Sequence, residues 1–552
     1  MKKNKYLLLG SSLTVLVLLV GAAAQENFLQ EWRQLQRSTT AADAVDVRLR
    51  QIVVPALDVT DRCVTCHVGM APGEQSRPAD RVMKAHAEVG HDPAAFGCTT
   101  CHGGQGRATE KLAAHGRVPF WPEPMIPLGN ADAGCGSCHT HLRVPSLAQL
   151  RAGSAAFERN DCLACHSLDG RGGTLRPGGG GGMEGPSLSR AAITGYRPDW
   201  YDHHLAERDR AAAGPWRDSF APIPAHERDA LTALLESRVG APSLIEGKAL
   251  FHSLGCRGCH KVGGVGGDDG PDLTIFGQRD PGQLDFTHVP GERTVSNWIA
   301  EHFRAPAVIV PGSQMPTLGL TEPEITSLTA YLLSLRRSAL PEAFWPRDRI
   351  LAERFGEREF STDGATLYGT FCAACHGPDG DGRRYAGMPA FPAIANPDFL
   401  SIASDEFVAE TVRRGRPGRR MPAWGETEGG LRPEEITRVA QFVRTLGGNV
   451  APVPDERPRR WAAGDAEAGE RLYGSACATC HGPAGLGGEG PALNNRVLLA
   501  SATDTYLVET VGRGRRGTSM EGFSRPSPTR PALAQQEIES IIAFIRTWEK
   551  KP

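Results

Sequence analysis

The chain has 552 residues, a formal net charge of -2, 65 glycines, 41 prolines and 14 cysteines. That length exceeds one ordinary hydrophobic core, so several domains are expected. The near-neutral charge favours neither nucleic acid nor a strongly polar partner, and no glycine motif of the Rossmann or phosphate-loop kind occurs.

All 14 cysteines fall in seven C-x-x-C-H pentapeptides. Their thiols are Cys63 and Cys66, Cys98 and Cys101, Cys135 and Cys138, Cys162 and Cys165, Cys256 and Cys259, Cys372 and Cys375, and Cys477 and Cys480. This is the attachment signature of c-type haem. Two thiols can add to the two vinyl groups of one haem, and the adjoining imidazole becomes the proximal iron ligand. Zinc sites, redox dithiols and disulfides also use paired cysteines, but they leave the seven following histidines unexplained. The expected cofactors are therefore seven covalently bound haems, with iron held by His67, His102, His139, His166, His260, His376 and His481. The expected fold is mainly α, with small modules whose Gly- and Pro-rich loops wrap a cofactor that supplies much of the core.

Lys2, Lys3 and Lys5 precede an apolar run from Tyr6 to Ala24. Residues 1–24 are a secretory signal, with Ala22-Ala23-Ala24 before Gln25 as a cleavage site, or an uncleaved membrane anchor. The near-spanning length favours an anchor. Its positive flank would stay in the cytoplasm, which puts the body on the periplasmic face of a bacterial inner membrane.

Residues 25–44, with Phe28, Trp32 and Leu35, predict an amphipathic helix or spacer. Residues 45–150 carry three haem motifs and have little room for regular structure, so an irregular, haem-packed trihaem segment is expected. Its distal ligands are expected from His86, His91 and His115, with His141, Met70, Met83 and Met125 as alternatives. The runs Asp61-Arg62-Cys63-Val64-Thr65-Cys66-His67 and Phe96-Gly97-Cys98-Thr99-Thr100-Cys101-His102-Gly103-Gly104-Gln105-Gly106 resemble the N-terminal part of multihaem cytochrome c subunits. Those subunits accompany bacterial cytochrome b or Rieske-type quinol-oxidising complexes. The resemblance implies such a membrane complex as a partner.

Four further units follow: 151–240, 241–337, 362–447 and 465–552, with Pro-containing linkers at 338–361 and 448–464. Each begins with a glycine and an aromatic at fixed spacing: Gly153 and Phe157, Gly247 and Phe251, Gly364 and Tyr368, Gly469 and Tyr473. In three units a closing helix repeats a glutamate seven residues before an aromatic, as Glu324 and Tyr331, Glu435 and Phe442, and Glu537 and Phe544. This internal repeat predicts first and last helices that cross through the small glycine. The units resemble the class I cytochrome c domain, a small all-α fold. Gly185-Pro186, Gly270-Pro271 and Gly490-Pro491 match the proline loop of that family, whose carbonyl accepts the proximal imidazole N–H. The sixth unit has Met388-Pro389 and Pro392 instead.

Met315, Met421 and Met520 stand in loops before the closing helices and are the expected distal ligands of haems 5, 6 and 7. The fourth unit has Asp218 and Ser219 where Met315 and Pro316 stand. His203 or His204 could serve that iron, Met183 could, or the iron could be five-coordinate. The arginines at 413, 414, 416, 419, 420, 513, 515 and 516 read as a solvated face, as haem-propionate partners or as a docking surface.

The inventory points to electron transfer, because no other catalytic constellation occurs. Bis-histidine haems near the N-terminus and His/Met haems later would make potentials rise toward the C-terminus. Electrons would then pass from a quinol-oxidising membrane partner to a soluble or membrane redox acceptor. The competing expectations are a haem reductase or peroxidase with haem 4 as its open site, and a subunit that connects other redox proteins in a larger assembly.

Overall fold

The computed structural model describes residues 2–39, 45–77, 80–172, 185–193, 199, 203, 223–337, 339–528 and 530–550. Helices dominate, and among the described residues the sheets are two short antiparallel pairs, Ile52–Val54 with Val59–Asp61 and Ser167–Leu168 with Arg171–Gly172.

One apolar helix, Lys2–Phe28, is long enough to cross a membrane, and its side chains from Tyr6 to Val20 are exposed. It runs past Ala24, so Phe28 belongs to it and not to the following amphipathic piece. After a break at Leu29 and Gln30 comes Glu31–Arg37, which buries Trp32 and Gln36. The Gln36 amide donates to the carbonyls of Thr65 at 2.8 Å and Arg48 at 3.0 Å, which ties this helix to the first haem motif.

Each later unit is built on two crossing helices. The pairs are Leu147–Arg159 with Ala225–Glu236, Pro242–Ser253 with Glu322–Ser334, Gly364–Phe371 with Pro433–Leu446, and Ala466–Ala476 with Gln535–Thr547. At every crossing the repeated glycine removes the one atom that would collide. A β-carbon on Gly153, Gly247, Gly364 or Gly469 would run into the carbonyl of Ala230, Ser327, Arg438 or Ser540 on the partner helix. The aromatic pairs then pack beside the crossing with their planes tilted by 49 to 59°, and their ring centres lie 5.0 Å apart for Phe251 and Tyr331, 5.4 Å for Tyr368 and Phe442, and 5.5 Å for Tyr473 and Phe544. The repeated glutamate has its own local reason. Glu324, Glu435 and Glu537 occupy the third helical position, and each carboxylate accepts a backbone N–H at the helix start, from Thr321, Arg432 and Ala534 at 3.0, 2.8 and 2.7 Å.

The apolar cores do not follow the four units one by one. One continuous cluster runs from Ile126 through units four and five to Leu335, a second holds Tyr368 and lies mostly within unit six, and a third holds Tyr473 and joins Ala403, Phe407, Val408 and Ala440 of unit six to unit seven. Residues 45–150 give Ile126, Ala133, Val144, Leu147 and Leu150 to the first of these, and among the described residues they also hold two small clusters, Ile52 with Val54 and Val64, and Val68 with Val82 and Met83.

Both linkers are seated by polar contacts. Residues 338–361 include the helix Arg347–Phe355, and Glu359 just beyond it pairs with Lys248 at 2.6 Å and with Arg257. In 448–464, Arg460 donates to the carbonyls of Leu499 and Ala502, and Trp461 donates to Thr505 at 2.8 Å.

Candidate haem sites

All seven C-x-x-C-H motifs adopt the same single turn. In each the histidine N–H donates to the carbonyl of the first cysteine, at 2.9 to 3.0 Å. One helical turn brings positions four apart to the same face, as a thiol and an imidazole serving one macrocycle require. The fourteen cysteines are all free, and among the described residues no cluster of His, Cys, Asp or Glu is arranged to hold a metal ion directly. A macrocycle-borne iron fits the thiol and imidazole that each turn places on one face.

The expected proximal rings are oriented by their second nitrogen. His166, His260, His376 and His481 place Nδ1 at 2.9, 2.9, 2.9 and 2.8 Å from the carbonyls of Pro186, Pro271, Pro392 and Pro491. A carbonyl only accepts, so Nδ1 carries the proton and Nε2 keeps its lone pair for a metal. Pro392 does in the sixth unit what the Gly-Pro prolines do elsewhere. Gly185, Gly270 and Gly490 lie against the imidazole, where a β-carbon would collide with the ring. His139 differs, because its Nδ1 meets the Asp348 carboxylate at 2.9 Å.

In the trihaem segment the histidines come together in pairs. The rings of His86 and His102 have centres 5.9 Å apart, and those of His91 and His139 lie 6.1 Å apart and stacked. An imidazole bound through nitrogen at about 2 Å has its centre about 3 Å from the metal, so two rings on opposite faces of one iron sit about 6 Å apart. Both pairs match that spacing. His115 stands near enough to His67 for its charge to depress the His67 pKa, after burial, which is the larger cause. Burial likewise lowers the pKa of His91, His102 and His115, which keeps these imidazoles neutral and able to ligate. His141 bonds instead to Thr140 at 2.9 Å.

The motifs also touch one another. Asp61, buried in the first resemblance run, accepts the N–H groups of Cys98 at 2.5 Å and Thr99 at 2.8 Å and the Thr99 hydroxyl at 2.8 Å. Gly258 inside the fifth motif packs against Phe371 and Ala374 at the sixth, across two units. Gly134 packs on the backbone of Cys101, joining the second motif to the third.

The methionine loops of units six and seven share one construction. Arg416 N–H donates to the Met421 carbonyl at 2.9 Å, and Arg515 N–H to that of Met520 at 2.7 Å. Their guanidiniums bond to Thr411 and Thr510, with Arg416 over Phe407 and Arg515 over Tyr506. Burial lowers the Arg416 pKa to about 10. Two further arginines of this group join units together. Arg516 pairs with Asp398 at 2.8 Å and Arg420 with Asp269 at 2.9 Å. Met315 packs on the fifth unit's core, where His302 stacks on Trp298 at 4.9 Å and burial pushes its pKa down to about 4. In the fourth unit His203 is exposed and its ring meets the Asp199 carbonyl at 2.7 Å. Met183, His204, Asp218 and Ser219 lie outside the described residues.

The family described as cytochrome c oxidase, cbb3-type, subunit III matches residues 361–443 and 464–545, and the cytochrome c family matches 244–336. This chain is a multihaem c-type cytochrome. The cbb3-type cytochrome c oxidase subunit FixP of Bradyrhizobium sp. (strain ORS 278) is 34% identical to this cytochrome over 176 residues, which is 30% of this chain and 56% of that protein. The corresponding subunit CcoP of Azospirillum sp. (strain B510) is 31% identical over 200 residues, covering 33% and 60%. The cytochrome therefore spans little more than half the length of these curated relatives. A solved chain of the Kuenenia stuttgartiensis reducing HAO-like protein complex covers 34% of this chain at 17% identity and a TM-score of 0.25, too slight a likeness to carry an argument. The matched segments hold the motifs at Cys256, Cys372 and Cys477, and c-type haem is their cofactor.

Asp348 and Glu359 were not legible as site residues, since each acts on a partner more than 100 positions away. Asp61 stood inside a recognised run, but its bonds to the second motif carried no sequence signal.

Proposed function

We propose that the protein is a membrane-attached heptahaem cytochrome that conducts electrons along its chain of haems on the periplasmic side. The observation that supports this most is the contact between successive attachment sites: Asp61 beside the first motif accepts N–H groups of the second, Gly134 packs on Cys101, and Gly258 of the fifth motif packs against Ala374 of the sixth. Bound at all seven motifs, c-type haem supplies one-electron chemistry, and the protein's part is to hold the irons close and tune them. His86 and His91 serve the irons of His102 and His139, and His115 that of His67. Met315, Met421 and Met520 serve haems 5, 6 and 7. This ligand order supports potentials that rise toward the C-terminus, and so an electron path from a cytochrome b or Rieske-type quinol-oxidising partner near the Lys2–Phe28 helix to a periplasmic acceptor.

The relatives favour a second reading of the partner. FixP and CcoP are subunits of cbb3-type oxidases, so units six and seven could deliver electrons to a terminal oxidase. Solubilising the native membrane in mild detergent and identifying what co-purifies separates the two partners. The intact mass tests the conductor itself. An excess of seven haems over the polypeptide is expected, and a smaller excess would show a gap in the chain. A redox titration with the Met-ligated group below the bis-histidine group would reverse the direction.

A further inference from the structure

Four of the seven expected proximal histidines place Nδ1 on a proline carbonyl. Among the described residues, His139 is the one of the seven whose Nδ1 meets a carboxylate. Asp348 Oδ1 lies 2.9 Å from its Nδ1, and Oδ2 accepts the His141 N–H at 3.3 Å, so one carboxylate holds both the ring and the backbone just after it. The acid comes from the segment read from sequence as a linker. It sits in the first turn of the Arg347–Phe355 helix, and that helix is held in place by Arg337 with Glu353 at 2.7 Å and by Arg349 over the Trp345 ring at 4.6 Å. The Asp348 side chain is only 16% exposed, so water competes little for this contact.

A charged acceptor draws the Nδ1 proton more strongly than an amide carbonyl does. The imidazole gains anionic character, Nε2 becomes a stronger donor, and the oxidised state of a metal bound there is favoured.

Resting on the reading that His139 ligates haem 3, we propose that Asp348 is a tuning residue for that iron. It lowers the haem 3 potential below the value a neutral acceptor would give. The site lies where the third motif packs on the fifth unit, since Gly136 rests on the backbone of Ser334 and Asp132 accepts the Ser243 N–H at 2.9 Å. Asp348 therefore sets the step at the junction between the trihaem segment and the later units.

The test uses the full-length protein loaded with haem. Peptide mass spectrometry of the segment holding Cys135 and Cys138 first reports whether haem is attached there, independently of any potential. D348N keeps an oxygen that can accept from Nδ1 but removes the charge, and D348E restores the charge. We expect D348N to raise the potential of one component of the redox titration and to change the g values of one low-spin EPR signal, with D348E returning both toward the wild type. Haem absent from Cys135 and Cys138 would overturn both the site and the tuning. Haem present with every component unmoved in D348N, or all components moved alike, would overturn the tuning and leave the site standing.

Discussion

Lys248 Nζ lies 2.6 Å from the Glu359 carboxylate and 2.5 Å from the Leu142 carbonyl, which joins the trihaem segment, the fifth unit and the first linker at one buried point. Arg257, fully buried, shares the same carboxylate and donates to the carbonyls of Val262 and Val265 at 2.9 and 3.0 Å. E359A would leave two buried cations without their anion. A loss of about 3–5 kcal/mol is expected, the usual cost of breaking a buried pair from one side. Chemical denaturation of the haem-loaded protein measures it. A loss under about 1 kcal/mol, typical of an exposed pair, would show that water reaches the site.

The same cluster predicts sensitivity to acid. Burial, with Arg257 and Lys248 adding to it, holds the His252 pKa well below its ordinary value. The unfolded chain takes up that proton below about pH 6.5 while the folded one does not, so stability falls as pH drops through that value. Burial alone would raise the Glu359 pKa, but Lys248 and Arg257 outweigh it and hold the carboxyl well below the usual range. Its contribution is complete above about pH 4.3 and is lost on further acidification. Denaturation midpoints at falling pH should decline in two stages, and H252F should remove the first. An unchanged first stage in H252F would assign it to other groups.

Two glycines on one helix should respond in opposite ways to the same substitution. Gly469 faces the Ser540 carbonyl, and Gly474 has nothing within 4 Å. G469A should cost about 1–3 kcal/mol by forcing the crossing helices apart. G474A should add about 0.5–1 kcal/mol, the ordinary gain of alanine over glycine in a helix. Thermal melts of the two variants check the pair, and equal effects would mean that the crossing has slack.

Asp61 bolts the first two motifs together through three hydrogen bonds. D61A leaves the N–H groups of Cys98 and Thr99 without their acceptor, at about 1–3 kcal/mol for each unsatisfied group. D61N retains one acceptor oxygen and should be milder. The expected readouts are a lower melting temperature and less haem on the peptide holding Cys98 and Cys101. Full haem loading in D61A would limit its role to stability.

Met421 provides the ligand test. Replacing its thioether with an imidazole in M421H should lower the potential of one haem and leave the others in place. Spectroelectrochemical titration reads this directly. No shift in any component would remove Met421 from the iron.

The sequence by itself determined what is local or periodic. The motif dictates its own turn, as Cys63 to His67 and Cys477 to His481 both form it. The spacing of Gly247, Phe251, Glu324 and Tyr331 reports a helix crossing, because a missing β-carbon, a tilted ring pair and a capping carboxylate must each sit at a set position along a helix. It also marked the apolar run Tyr6 to Ala24 inside the Lys2–Phe28 helix, since such a run is a matter of length and composition. The tertiary structure alone decided which groups meet across space. His86 faces His102, His91 faces His139, and Asp348 reaches His139 from 209 positions away. The shared core of units four and five and the seating of both linkers belong to the same class. Such pairings follow from how irregular segments close around one another, and that closure has no period along the chain to read.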